Sequence, residues 1–393
     1  MIQSGLFWLV LLVAVPVHWC LPLRWRAVFF AVVSMAVLAT LAPVQVLALL
    51  LWTVVAHQCL GRRSLVRPAS WLLAAGLLGQ LLLFKYLPPL VEPLWPSSAF
   101  TRLAVPLGLS FYTFKMLHYV IEMRRGKLDP HGLEAVLCWV FALPMFTAGP
   151  IERFDHFQRK RQRRFSWQLM STGGTRIVQG LVKKLVISDL LLAGAMQRLG
   201  GEPAQLLDSI DGVGTLELWL WSAASMARLY MDFGGYSDIA IGGCLLFGYV
   251  VTENFDFPFL AHNLSNFWHR WHISLADWCR SYIYMPLLGM TRNPFVAVYA
   301  TFVVMGLWHA GSLPWLAWGA LHASGMSVAL LWRRELRRRR WTWPQRRWFR
   351  PVAVAATMLF VCGAHALTTV HGAGDAMDLL RLAARLLFVP LAG

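Results

Sequence analysis

Charge is scarce in this 393-residue chain. Asp, Glu, Lys and Arg make up 14% of it, where a water-soluble domain carries about 25%, so an ordinary soluble domain is excluded. Acidic residues are the scarcest, 19 against 36 Lys and Arg, for a net charge of +17. In a soluble protein that balance points to nucleic acid. Here the basic residues lie in short loops between apolar runs, where the positive-inside bias accounts for them, and no nucleic-acid partner is expected. Paired cysteines are missing as well. Cys20, Cys59, Cys138, Cys244, Cys279 and Cys362 are scattered, mostly in apolar segments, with no Cys-x-x-Cys. That pattern argues against a disulfide framework and a cysteine metal site, and no bound metal is expected. Neither an internal repeat, nor a low-complexity segment, nor an interdomain linker is present, so residues 1–393 read as one polytopic domain. The N-terminus lacks a basic n-region, and its first apolar run continues into more of the same, which predicts a retained helix and not a cleaved signal.

What the chain has instead is apolar length. Hydrophobic residues make up 58% of it and the mean hydropathy is +0.53. Runs of about 17 to 25 apolar residues, long enough to cross a bilayer's hydrocarbon core, recur from end to end. Twenty tryptophans suit the membrane–water interface. The expected fold is an all-α integral membrane protein with about 11 spans, near 6–23, 27–43, 44–60, 71–90, 103–122, 177–199, 215–231, 295–311, 315–332, 351–369 and 376–392. Arg24 and Arg26; Arg62, Arg63 and Arg67; Arg124, Arg125 and Lys127; Arg159 to Arg164; and the basic 333–350 stretch are assigned to the cytoplasmic side. Linkers 91–101 and 200–214 have no Lys or Arg and carry Glu92, Glu202, Asp208 and Asp211, which suits the outer side. This threading puts the N-terminus outside and the C-terminus inside. Segments 133–149 and 238–251 are apolar yet have both flanks on one side. They are expected to be re-entrant or broken, which is tolerated where they are buried in protein or line a wet cavity.

The stretch 252–294 is too polar to span and too aromatic for a solvated loop. Ser265 is a plausible N-cap, and Trp268, Trp271, Leu275 and Trp278 then share one face of an amphipathic, interfacial helix. The tryptophans there also read as structural anchors. His269 and His272 fall at i, i+3 on that helix, without evident further metal ligands. His309 closes an apolar span in Met305-Gly306-Leu307-Trp308-His309-Ala310. An ionisable residue inside a membrane segment is costly and is read as functional, and histidine suits general-base work near neutral pH. A hydrogen bond between helices is the plainer reading. His322 is a weaker candidate of the same kind. In Met231 to Asp238, the pair Gly234-Gly235 is expected to break a span beside Asp232 and Asp238, which could orient a histidine, line a channel, or cap helix ends.

Five blocks taken together resemble the membrane-bound O-acyltransferase family, particularly its bacterial alginate O-acetyltransferase branch and, more distantly, its DltB-like branch. They are Gly108 to Phe114, Thr147 to Phe154, Asp232 to Asp238, Glu253 to Leu275, and Gly306 to His309, in the family's order over about 200 residues. Met305 and Ala310 depart mildly from the usual pattern. The resemblance implies a ring of helices around a thin centre, with funnels from both faces and a family core over about 103–332. It assigns the catalytic histidine to His309 and the second active-site position to His272. Substrate-binding positions follow at Tyr236, Ser237, Asp238, Asn254, Arg270, Trp271 and Trp308. It implies no bound cofactor but a thioester donor substrate, acetyl-CoA or another acyl thioester. The acceptor is an extracytoplasmic polysaccharide, reached directly or through an acyl-relay or polysaccharide-modifying partner protein, and the other partner is membrane lipid. D-alanyl transfer to teichoic acid, a proton-coupled transporter, and a non-catalytic scaffold of a polymer-secretion complex remain the alternatives.

Overall fold

A computed structural model describes residues 4–62, 64–92, 94–95, 105–372 and 374–387. It is helical, and the described residues contain no strand beyond one isolated bridge between Arg161 and Tyr249. Four described helices are long and apolar enough to cross a membrane: Leu23–Leu41, Pro43–Leu60, Val66–Val91 and Arg347–Thr368. Gly5–Cys20 and Pro294–His309 are apolar but shorter. Other predicted spans overlap helices that carry charge. Leu109–Arg124 holds Lys115 and Glu122, and Leu313–Arg339 ends in arginines. Helix Ala376–Leu386 covers only part of the last predicted span. Residues 388–392 of that span, 103–104 of another, Arg63, and 93 and 96–101 of the acidic linker lie outside the described residues.

By contacts the chain forms two units, Met1–Gly180 with Tyr236–Glu253, and Leu181–Gly235 with Asn254–Gly393. In the first, prolines set the helix boundaries. Pro22 stands at an N-cap and Pro43 opens the next helix, positions where the missing N–H costs nothing. The stretch 133–149 is an eight-residue helix, Leu133–Val140, followed by a 3₁₀ turn, Leu143–Met145, around Pro144. Aromatic stacking fills the core. Phe30 lies on Phe247 at 4.3 Å, and Phe157 on Tyr249 at 4.3 Å and 4°. Outer faces carry bare apolar side chains such as Leu12, Val44 and Leu72, as expected where lipid tails are the solvent.

The second unit buries Leu206, Leu218, Trp221, Val370 and Leu382 around its own core. Asn293 caps Pro294–His309, its side chain accepting from the Phe295 and Val296 N–H groups. Trp221 Nε1 donates to the Gly201 carbonyl at 2.8 Å, giving a buried indole its required partner.

Two expectations about the polar stretches are corrected. The glycine pair does not break its span, because Thr215–Leu246 is one helix of 32 residues, about 48 Å long. A helical glycine costs about 1 kcal/mol against alanine, too little to end a helix that is tied along its length. Asp232 is paired with Lys184, and Asp238 with Arg176 at 2.7 Å, so the two acids are neutralised by cations. Segment 238–246 is the end of this helix and not a separate re-entrant piece. It is held by backbone contact, since a Cβ on Gly242 would lie 2.6 Å from the Gly173 carbonyl oxygen.

The second correction concerns the interfacial helix, which is two short helices, Leu264–Trp268 and Ile273–Cys279. The cap is Asn263, whose side chain accepts from the Asn266 N–H at 2.8 Å, and not Ser265. Between the helices His272 adopts φ +43° and ψ +53°, a left-handed conformation that a regular helix cannot contain. Trp268, Trp271, Leu275 and Trp278 are all buried, so they are packed inside protein and do not form one amphipathic face. His269 and His272 consequently do not share a helix.

Candidate active site

The second unit gathers most of the predicted site. Residues 254–256 run beside 270–273: the Ile273 N–H donates to the Asn254 carbonyl at 2.9 Å, and the Asp256 N–H to the Arg270 carbonyl at 2.9 Å. These bonds fix the turn that carries His272. Its ring is buried, with Nδ1 at 3.0 Å from Asn254 Oδ1. That oxygen also accepts from Ser274 Oγ at 2.9 Å. An amide oxygen only accepts, so Nδ1 bears the hydrogen and Nε2 carries the lone pair. Burial, and then the charge of His309, hold the imidazole well below its ordinary value of 6.5, at about 3. His272 is therefore neutral, with Nε2 as an acceptor. This tautomer suits positioning an acyl group, whereas polarising a carbonyl by donation needs a proton that burial opposes.

Rings enclose His272. Phe233 meets it edge-on at 4.8 Å and Phe255 lies at 6.5 Å. Trp271 packs edge-on against Phe255 at 5.1 Å and stacks on Phe267 at 5.5 Å. Arg270 turns away into a local clamp, donating to the Asp256 carbonyl at 2.8 Å and to its carboxylate at 3.1 Å.

His309 is the last residue of Pro294–His309 and is half-buried, less enclosed than an apolar run suggests. Its place follows from two glycines. A Cβ on Gly306 would sit 2.4 Å from the Trp315 carbonyl oxygen, and one on Gly319 would sit 2.6 Å from that of Phe302. Only bare backbone lets Pro294–His309 and Leu313–Arg339 approach this closely. The approach stacks His309 on Trp315 at 4.3 Å and 14°, with Trp308 at 4.6 Å and Trp318 edge-on at 5.7 Å. His322 is buried one ring further in, 4.7 Å from Trp318 and 5.8 Å from Phe302.

In the other unit lie Tyr236, Ser237 and Asp238. The Tyr236 hydroxyl bonds Thr147 Oγ1 at 2.5 Å, Ser237 is buried, and Asp238 pairs with Arg176, which also reaches Glu253. A buried carboxylate stands nearby in sequence to Thr147. Glu152 accepts from the Thr252 N–H at 2.5 Å, the Arg153 N–H at 3.2 Å and His156 Nδ1 at 2.6 Å. Sequence reasoning names neither Glu152 as a tie nor Ser274, Phe233, Phe255 and Trp315 as site walls. The signal for Glu152, Ser274, Phe233 and Phe255 is that they sit inside family-like blocks, whereas Trp315 lies outside them. Among the described residues no group of three or more His, Cys, Asp or Glu is arranged to hold a metal ion.

The described residues are helical, with apolar helices long enough to cross a membrane, and they set His272 and His309 against aromatic rings. The chain belongs to the membrane-bound O-acyltransferase family, whose model matches residues 10–369. It is 36% identical over 266 residues to a Pseudomonas putida protein named "Probable alginate O-acetylase AlgI", covering 66% of this chain and 51% of that one. A teichoic acid D-alanyltransferase of Bacillus subtilis is 28% identical over 298 residues, 70% of this chain and 73% of the relative. A peptidoglycan O-acetyltransferase of Helicobacter pylori is 29% identical over 287 residues, 64% and 53% respectively. The chain spans about half the length of the AlgI relatives it matches.

Proposed function

We propose that this protein is a membrane O-acyltransferase that moves an acetyl group from acetyl-CoA in the cytoplasm to hydroxyls of an extracytoplasmic polysaccharide. Transfer is direct or passes through a partner protein that relays the acyl group. The observation that carries the reading is His309, held by a glycine-permitted helix crossing and stacked on Trp315. His309 takes the proton of the acceptor hydroxyl. The oxygen attacks the thioester carbonyl, the carbon–sulfur bond breaks, and the departing thiolate takes up a proton. His272, neutral and anchored by Asn254, positions the acyl group, with Trp271 and Trp308 as walls. Tyr236, Ser237, Asp238 and Arg270 are proposed as binding positions. Basic loops attract the donor's phosphates. In this reading the chain crosses a bacterial inner membrane about 11 times, with its N-terminus outside and its C-terminus inside.

His309→Ala is expected to abolish acetylation, measured by mass spectrometry of surface glycans, with the variant still present in the membrane by immunoblot. Undiminished acetylation in that strain refutes the assignment. A second reading, D-alanyl transfer to teichoic acid, is favoured by the B. subtilis relative, of whose length 73% is matched. The same spectra separate the two, because alanyl and acetyl esters differ in mass.

A further inference from the structure

The second unit contains a groove of about 1100 Å³ that the proposed chemistry does not use. Its volume lies just above the range of about 300–1,000 Å³ that hosts small-molecule ligands. The floor runs between Leu313–Arg339 and Arg350–Thr368 and is apolar, formed by Leu321, Val328, Ala353, Ala356 and Phe360. At one end the lining changes to Arg333, Arg346, Arg347 and Arg350. None of these four has a carboxylate partner among the described residues, whereas nearby Arg338 and Arg339 share Glu335. Several uncompensated guanidiniums at one mouth fit an anion.

A separate observation sets the level of that mouth. Trp332, Trp341 and Trp343 cluster at 6.2 to 6.5 Å, and Trp343 meets Phe349 edge-on at 4.8 Å. Such indole clusters settle at the boundary between headgroups and acyl tails. Below it, Val328 and Val352 are exposed, as lipid-facing side chains are. A ligand that fits must be negative at the boundary and apolar beneath it.

We infer that this groove is a binding site for one anionic phospholipid. Its phosphodiester lies among Arg346, Arg347 and Arg350, and its acyl chains lie along Ala353, Ala356 and Phe360. Guanidiniums hold phosphate oxygens in a two-pronged geometry, and basic pockets between membrane helices favour anionic headgroups. The site is independent of the acyl-transfer reading, and its test uses no activity.

The full chain, purified in detergent, is given equal mole fractions of phosphatidylglycerol and phosphatidylcholine, and retained lipid is read by native mass spectrometry. Phosphatidylglycerol is expected to be retained at least about tenfold over phosphatidylcholine. The triple variant R346Q/R347Q/R350Q is expected to lose that preference. Ala356→Trp, at an exposed position, fills the tail region and is expected to reduce retention of both lipids. If the triple variant does not survive extraction, Ala356→Trp carries the test alone. Equal retention of the two lipids by the unaltered chain overturns the inference, as does retention unchanged in the variants. So does displacement of the lipid by soluble glycerol phosphate at equal concentration, which makes this a phosphate site. A second polypeptide seated on the groove in place of lipid overturns it as well.

Discussion

A left-handed backbone at a residue with a β-carbon costs about 1–2 kcal/mol, so His272 must be held in place. The two bonds between residues 254–256 and 270–273 do so, and Asn254 fixes the ring through the same residue. Asn254→Ala removes the oxygen that selects the tautomer and leaves Ser274 without its acceptor. It is expected to lower kcat by roughly 100-fold, the scale of a misplaced positioning group, while the thermal midpoint falls by only a few degrees. Unchanged kcat in Asn254→Ala removes His272 from the chemistry. A second residue-scale consequence concerns Glu152 and His156. The hydrogen bond to Glu152 raises the His156 imidazole above its ordinary 6.5. A raised base contributes stability that is complete below 6.5 and is lost as pH rises through the folded value. The gap in thermal midpoint between the unaltered protein and His156→Gln should therefore shrink from pH 6 to pH 9. A gap that widens over that range contradicts the assignment. At this scale His309 stood out as an ionisable residue closing an apolar run, whereas His272 was singled out through the family resemblance. The role of Asn254 was not legible, since its bond spans 18 residues and no local pattern records it.

Helices show where pattern reading works and where it fails. The apolar runs between prolines were plain, and Leu23–Leu41 and Pro43–Leu60 fall within a few residues of their expected ends. The 32-residue helix was not plain, because Gly234-Gly235 looks like a break to a local rule, and the ion pairs that carry the helix through are tertiary. The paired short helices at 264–279 failed for the converse reason. A face drawn through Trp268, Trp271, Leu275 and Trp278 assumes regular geometry, which one positive φ at His272 removes. The element-scale prediction is at the glycine crossing. Gly306→Leu must push Pro294–His309 off Leu313–Arg339, because backbone oxygen stands 2.4 Å from the new carbon. The expected cost is about 1–3 kcal/mol, with activity lost as His309 leaves Trp315. A variant with unaltered thermal midpoint and turnover shows that the close crossing is dispensable.

For the molecule as a whole, composition was decisive before any motif was considered. The charge deficit and recurring apolar runs require a bilayer, and a carbonate wash at high pH should leave the protein in the pellet of isolated membranes. Release into the supernatant contradicts the spans. Which residues share a unit was not legible, because those groupings depend on contacts distant in sequence. The discontinuity of the two units bears on synthesis. The first unit is incomplete until residue 253 has left the ribosome, yet residues 181–235 of the second emerge before then. At about 5–20 residues per second, that early segment waits roughly 10–30 s for the rest of its unit. In the finished structure Lys184 pairs with Asp232 inside that segment, while Trp221 and Leu218 pack against C-terminal residues made later, such as Val370 and Leu382. The nascent chain is thus most exposed to chaperones and proteases partway through its making, and a ribosome stalled between residues 254 and 350 would leave a half-built unit in the membrane.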